Sequence, residues 1–276
     1  MAGAARRRPR TTLFSVLALS SHRRLLDVVL VLYERTLTVR YRGSALGILW
    51  SAANPLGMAV VYAAIFGHTF AAYYEGSLVR YGAAVYIGLA LAGFFIGGTT
   101  QALPSIVQNA DLLNKIRIPF AALPLSTLAA YGFQQIVATV PLLAIIGLLV
   151  THSIVHVLAL IVPLAGLAML AVGVGLFVCG ADVYFRDVAY LYELTTFLVW
   201  VTSPVFYPAG IVPASVLRLL QFNPLFPILE SVRTLVLTDT WPSAQLYGLS
   251  LLDGALALAI GIAAFRALRP QFMDLL

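Results

Sequence analysis

Six long apolar stretches, separated by short polar breaks, run through the chain at about 45–72, 83–107, 121–150, 154–179, 189–209 and 244–268. Each meets the ~20 apolar residues that an α-helix needs to cross a bilayer. The breaks are compact and charged or turn-forming: "AYYEGSLVR", "NADLLNKIRIP", "THSIVH" and "GADVYFRDV". Pro55, Pro104, Pro141 and Pro163 fall inside the runs, where membrane helices tolerate proline better than soluble ones do. The pattern predicts an all-α polytopic membrane protein with six transmembrane helices.

Two regions depart from that pattern. Between Arg23 and Arg35 the polar residues are Arg23, Arg24, Asp27, Glu34 and Arg35. At ~100° per residue they fall within an arc of roughly 120°, with Leu25, Leu26, Val28, Val29, Leu30 and Leu32 outside it and only Val31 out of place. This predicts an N-terminal amphipathic helix lying in the membrane interface rather than crossing it. Residues 210–243 are moderately apolar but interrupted by Pro213, Pro224, Pro227 and Pro242, with Arg218, Glu230, Arg233 and Asp239 among them. They predict two short helices that dip partway into the outer leaflet or lie on it. The whole is one transmembrane domain over 1–276. It has a basic disordered tail at 1–12, an interface segment at 13–44, the six-span region at 45–268 and a tail at 269–276.

Composition narrows the class. Hydrophobic residues make up 61% and charged residues 10% of the 276, with mean hydropathy +0.94. A soluble domain carries about 25% charged residues, so this chain cannot cover a water-facing surface. Nor does it leave room for an appended enzyme of ordinary size. The net charge of +6 could suggest a nucleic-acid partner, but its distribution argues against one. Nine of the seventeen basic residues precede Ser44: Arg6, Arg7, Arg8, Arg10, Arg23, Arg24, Arg35, Arg40 and Arg42. With the N-terminus inside and six spans, the inner segments hold fourteen basic residues and the outer ones three, namely Arg80, Arg218 and Arg233. The positive-inside rule then sets both termini in the cytoplasm, in a multi-pass protein of the cytoplasmic (inner) membrane facing anionic lipid. No cleaved signal peptide is expected, because Ser20, Ser21, His22, Arg23 and Arg24 interrupt the first apolar stretch.

The chemistry that is missing is informative. A P-loop needs a lysine preceded by glycine and followed by Ser or Thr, and the only lysine is Lys115 in "DLLNKIRIP". The chain therefore cannot hydrolyse ATP by that route, and a driving force must come from a partner or an ion gradient. Ion-coupled carriers keep ionisable residues within their spans. Here Asp253 is the only carboxylate well inside one, with Asp187 and Glu193 near the start of the fifth. No internal repeat is visible, which weakens an inverted-repeat carrier. His22, His68, His152 and His156 are dispersed, so no metal site is expected; His152 and His156 read as solvated residues of an external turn. Asp182 and Asp187 lack the spacing of a sugar-nucleotide metal site. Cys179 is the only cysteine, so no internal disulfide can form and a small packing role is expected. No catalytic residue and no cofactor of this chain's own is expected.

Aromatic residues give the remaining signal. Trp50, Tyr62, Phe66 and Phe70 lie along the first span, and Phe197, Trp200, Phe206 and Tyr207 along the fifth. Tyr62, Phe66 and Phe70 recur every four residues and so share a helix face. That face either lines a passage or turns to lipid as part of an interfacial belt.

Four blocks in order carry a family resemblance: "RYRGSALGILWSAANP" at 40–55, "NADLLNKIRIPFAALPLS" at 109–126, "DVYFRDV" at 182–188, and "SPVFYPAGIVP" at 203–213 with "FNPLFPILESVR" at 222–233. From about Val31 to the C-terminus the chain resembles the membrane subunits of type-2 ABC exporters that move lipid-linked polysaccharides such as O-antigens, galactan and teichoic acids. The resemblance implies a second copy of this chain and two copies of a P-loop ATPase, which would bind ATP and Mg. It also implies membrane lipid around the complex and a polyprenyl-linked glycan as substrate. ATPase contacts would fall on residues 23–38 and on the loop at 110–120, with Asp111, Asn114, Lys115, Arg117 and Pro119. Arg40, Tyr41 and Arg42 would stand at the substrate entrance. The first and fifth spans would line the channel through Trp50, Tyr62, Phe66, Phe70, Phe197 and Trp200, and the helices after the fifth span would be external gate helices. One departure is that Phe120, Ala121 and Ala122 follow Pro119 where many relatives have a charged pair. The alternative readings are an ABC exporter of drugs or small lipids and a proton-coupled carrier using Asp253.

Overall fold

The computed structural model describes residues 21–44 and 47–276. The basic tail expected at 1–12, the side chains of Arg23 and Arg24, and the first residues of the first apolar stretch lie outside the described residues. Among the described residues every regular element is helical.

The first helix, α1 (Ser21–Tyr41), extends the amphipathic segment to the edge of the first span. It packs on α5 (Ala122–Gln134), where Tyr33 meets Phe133 edge-on at 5.8 Å. Leu26, Leu30, Val31 and Val39 stay exposed. Leu26 and Leu30, four residues apart, share one face, and exposed apolar side chains suit a helix lying in a membrane interface. Helix α2 (Trp50–Phe70) follows, and the chain reverses through Glu75 and Gly76, both left-handed at φ 54° and 71°. Ser77 accepts a hydrogen bond from the Arg80 amide and caps α3 (Leu78–Ala102), satisfying one of the free N–H groups at a helix start.

Beyond α3 the chain makes two short turns and α4 (Ala110–Lys115), then enters α5. A π-helical turn at Gln135–Thr139 joins α5 to α6 (Val140–Thr151). Next come α7 (Ile154–Ala159), α8 (Ile161–Tyr184) and α9 (Val188–Thr202). The last elements are α10 (Ala214–Leu220), α11 (Leu225–Leu237), α12 (Ala244–Leu268) and α13 (Phe272–Leu275).

Among the described residues five stretches are long and apolar enough to cross a membrane: Gly47–Tyr74, Leu78–Ser105, Ala122–Thr151, Ile154–Tyr184 and Ala244–Leu275. The fifth apolar run, expected as one helix over 189–209, is corrected. Helix α9 ends after 15 residues at Thr202, and an irregular segment takes over. Pro204 and Pro208 explain the break, since proline lacks the N–H a helix needs and pushes its predecessor out of the helical region. Helix α11 is the second of the two short helices expected after the fifth run, and it is packed within the protein. Eleven of its 13 residues are buried inside the protein.

Two packing features fix the frame. Helices α8 and α12 meet along glycines: a Cβ added at Gly166 or Gly173 would collide with the backbone of Ser250 or Ala257, and one at Gly254 or Gly261 with that of Gly166 or Gly173. Small residues let membrane helices approach this closely. A separate apolar cluster joins Leu32 of α1, Leu113 and Phe120 of the 110–120 loop, Phe265 of α12 and Phe272 of α13. The first helix, that loop and the chain's last helix therefore share one end of the molecule. Cys179 sits fully buried in this cluster, 3.4 Å from the Ser105 hydroxyl, in the small packing role expected for it.

Candidate functional site

The aromatic face expected on the first span is present. Tyr62 and Phe66 stack at 5.9 Å, and Phe66 and Phe70 at 6.1 Å. Phe206, from the irregular segment after α9, stacks on Tyr62 at 5.4 Å and meets Trp200 at 5.8 Å. Tyr207 packs edge-on against Phe206 and Tyr81 against Phe70, which lengthens the row. The result is a ladder of half-buried rings joining α2 to α9, with Phe206 as its hub. Rings in such offset and edge-on pairs gain about 0.5–1.5 kcal/mol beyond burial. Of the other two ring positions, Trp50 is 56% and Phe197 60% exposed, and neither joins the ladder.

What holds Phe206 in place is a buried polar frame. Arg233, only 5% exposed, donates to the Ala84 carbonyl through Nε and Nη2 and to the Val205 carbonyl at 2.7 Å. It also pairs with Glu230 at 3.1 Å. The Asn223 amide donates to the Val199 carbonyl and to the Thr202 and Ser203 hydroxyls, while its oxygen accepts from the Leu225 amide. Tyr81 donates to the Phe206 carbonyl at 2.9 Å. Irregular backbone survives at membrane depth only where protein satisfies it, and here these three side chains do so. Gly88 completes the seat, since a Cβ there would lie 2.5 Å from the Val205 carbonyl oxygen. Arg233, counted from the sequence as an external loop charge, is thus a buried structural cation. Its one legible signal was its place next to the proline-broken segment.

At the end carrying α1, Asp111, Asn114, Lys115 and Arg117 are exposed and Pro119 is half-buried. Between them Leu113, Ile118 and Phe120 turn inward. Phe120, at the position where the charged pair is lacking, sets its edge on Phe272 at 5.4 Å and 89°. The exposed polar side chains are therefore displayed on an apolar footing.

The three entrance residues separate. Arg42 is exposed. Arg40 donates to Gln134 Oε1 at 3.3 Å and lies 4.3 Å over the Tyr131 ring. Burial raises the Tyr41 phenol above its ordinary value, with the Arg40 charge and polar contacts to Gln134 and Ser51 pulling the other way. Two cavities flank this point. One, of about 300 Å³, is lined by Trp50, Asn54, Tyr131, Gln134 and Gln135. There Gln135 Oε1 accepts from Thr139 while its amide nitrogen is buried without a protein acceptor. The other, of about 380 Å³, lies behind α1.

The remaining candidates stand apart. Asp253 is half-buried on α12 and Asp182 buried on α8, while Asp187 and Glu193 are exposed. His152 is exposed, but His156 is 7% exposed and stacks on Trp241 at 4.9 Å, so the expectation of two solvated histidines is corrected. No group of three or more metal-ligating side chains occurs among the described residues.

Comparison with known proteins gives a consistent result. The profile of the ABC-2 type transporter family matches residues 27–237. Two O-antigen export system permease proteins RfbA of Klebsiella pneumoniae are each 26% identical, over 254 and 259 residues, covering 91% of this chain and 96% of theirs. The O-antigen export system permease protein RfbA of Myxococcus xanthus is 25% identical over 229 residues, 79% of this chain and 83% of that one. The chain belongs to the ABC-2 type transporter family, as a multi-pass membrane permease subunit and not an enzyme.

Proposed function

We propose that this chain is the permease of an ATP-driven exporter that moves a lipid-linked polysaccharide of O-antigen, galactan or teichoic-acid type across the cytoplasmic membrane. Two copies pair with two copies of a P-loop ATPase, which supplies the ATP and Mg site that this chain lacks. The charge asymmetry along the sequence sets both termini in the cytoplasm. On that orientation α1 and the 110–120 loop face the ATPase, and the 203–213 segment with α10 forms the external gate.

The observation that carries the reading is the aromatic ladder from Tyr62, Phe66 and Phe70 through Phe206 to Trp200. A glycan cannot cross hydrocarbon and needs a lining that wets sugar rings without fixing them. Flat aromatic faces pack against the C–H faces of sugars and make no demand for a particular hydroxyl pattern. The near full-length likeness to O-antigen export permeases points to the same substrate class.

The test is reconstitution with a partner P-loop ATPase. Inverted vesicles should move a polyprenyl-linked glycan inward only with ATP and an intact ATPase. Export unaffected by inactivating that ATPase, or driven by a proton gradient alone, would overturn the reading. The purified chain alone should show no ATP turnover.

A further inference from the structure

The cavity of about 300 Å³ between α2, α3 and α5 has no charged side chain in its walls. Asn54 and Gln135 bring amides to it, Trp50, Phe94 and Tyr131 bring rings, and Thr139 brings a hydroxyl. Gln135 falls at the middle of the apolar stretch Ala122–Thr151. A polar side chain at that depth costs free energy unless something satisfies it. The Gln135 oxygen accepts from Thr139 at 3.2 Å, but its amide nitrogen is buried with no acceptor. Among the described residues the Asn54 amide has no partner either. Gln134 is different, because its oxygen is already held by Arg40. A second observation points to the same place. Gln135 and Thr139 are the two ends of the π-helical turn that joins α5 to α6, and such turns interrupt α-helices mostly at functional sites.

The walls define the ligand. Without a charged side chain they offer nothing to a phosphate or an ammonium group. A buried N–H needs an acceptor, and the Asn54 amide needs a donor and an acceptor together. Hydroxyl groups supply both. Water could meet the amides, but it would leave the faces of Trp50, Phe94 and Tyr131 unmatched. A sugar ring meets both demands, with hydroxyls for the amides and C–H faces for the rings. We propose that this cavity binds one neutral sugar ring, with the Asn54 and Gln135 amides on its hydroxyls. Asn54, Met58 and Tyr62 follow one another at four-residue steps on α2, so the cavity continues the row of the aromatic ladder toward the start of that helix. The site therefore deepens the export reading, on which its place along a glycan's route rests. Sugar binding itself does not depend on that reading.

The test uses the full-length chain purified in lauryldimethylamine oxide, a detergent without sugar, with native mass spectrometry reading the bound probe. Octyl β-glucoside should be retained at one per chain. Tetraethylene glycol monooctyl ether, which has the same tail and no sugar ring, should not. Asn54→Leu with Gln135→Leu should weaken retention by about tenfold, since two hydrogen bonds are lost. Gln101→Leu, on α3 outside the cavity, should leave it unchanged. Absence of octyl glucoside would mark a cavity that holds water only and would overturn the site. Equal retention of the sugar-free ether, full retention by the double variant or an equal loss in Gln101→Leu would do the same. If the double variant does not run as a monodisperse peak, Asn54→Leu alone decides. That side chain is exposed and has no protein partner to lose, and unchanged retention there would equally remove the site. The assay contains no ATP, so loss of the site would leave ATP-driven export standing. Intact retention without ATP-driven transport would strike the export reading alone.

Discussion

The spans Gly47–Tyr74 and Leu78–Ser105 have the same length, 28 residues, and nearly the same hydropathy, 1.5 and 1.6, yet the apolar window of the first is 6% buried and that of the second 67%. Hydropathy measures what a helix can tolerate outside it, not what it meets. The second span is scaffold, wrapped by α2, α5, α8 and α11. The first turns one face of rings toward Phe206 and leaves Val60, Val61 and Ile65 uncovered. The difference separates the residues that hold the fold from those available to a substrate, to lipid or to a second copy. It can be tested directly.

The largest effect should come from matched glycine substitutions. At Gly88 the nearest atoms to an added Cβ are backbone, the Val205 carbonyl at 2.5 Å and Cα at 2.9 Å, and backbone cannot rotate away. At Gly57, on the first span, nothing lies within 4 Å. Gly88→Val should cost roughly 3 kcal/mol or more and abolish a monodisperse product, as overpacking against backbone does. Gly57→Val should change stability by about 0.5 kcal/mol at most. Equal behaviour of the two in thermal unfolding would break the comparison.

Arginines provide the next contrast. Arg233→Met leaves the Ala84 and Val205 carbonyls and Glu230 without their shared donor. Breaking a buried pair from one side costs about 3–5 kcal/mol. Arg80→Met removes only an exposed pair with Glu75, worth about 0–1 kcal/mol. Detergent-extracted stability should fall sharply for the first and barely for the second. Arg233→Lys, which keeps charge but cannot reach both carbonyls in one plane, should fall between them.

Much of this arrangement was legible before the structure. The first, second, third, fourth and sixth apolar runs match helical stretches to within about five residues, because a continuous apolar run in this size range has little alternative to crossing a bilayer. The shared face of Tyr62, Phe66 and Phe70 followed from spacing alone. Three things did not follow. Residues 203–209 looked like more of the fifth run, because burial in protein and burial in lipid ask for the same apolar side chains; Pro204 and Pro208 were the available warning. Arg233 looked like a loop charge, since its pairing with carbonyls 149 and 28 residues away leaves no local trace. The closeness of α8 and α12 depends on Gly166, Gly173, Gly254 and Gly261 facing each other, and a single sequence does not pair its helices.

The ladder itself should separate function from stability. Its rings are half-buried, so Tyr62→Leu with Trp200→Leu should cost under about 1.5 kcal/mol and leave expression and ATPase association near normal. Export by the reconstituted complex should nevertheless fall several-fold, because leucine keeps the apolar surface and loses the flat face. Phe206→Leu should act as strongly by itself, since Phe206 touches Tyr62, Phe66 and Trp200. Full export by both variants would place the ladder in a purely structural role.

The smallest effect should be at Phe197, and it sharpens the comparison most. Phe197 and Trp200 lie three residues apart on α9, and sequence spacing alone groups them as one lining. The structure divides them: Trp200 meets Phe206 at 5.8 Å, whereas Phe197 is 60% exposed and outside the ladder. A ring that faces lipid is asked only to be apolar, so Phe197→Leu should leave stability within about 0.5 kcal/mol and export at the wild-type rate. Trp200→Leu alone should lower export measurably under the same conditions. If Phe197→Leu lowers export as much as Trp200→Leu, the exposed face of α9 is covered by glycan or by a second copy in the working complex. The boundary between lining and lipid would then run through Leu191, Leu194 and Leu198, the exposed residues beside Phe197, and substituting those three in turn would locate it.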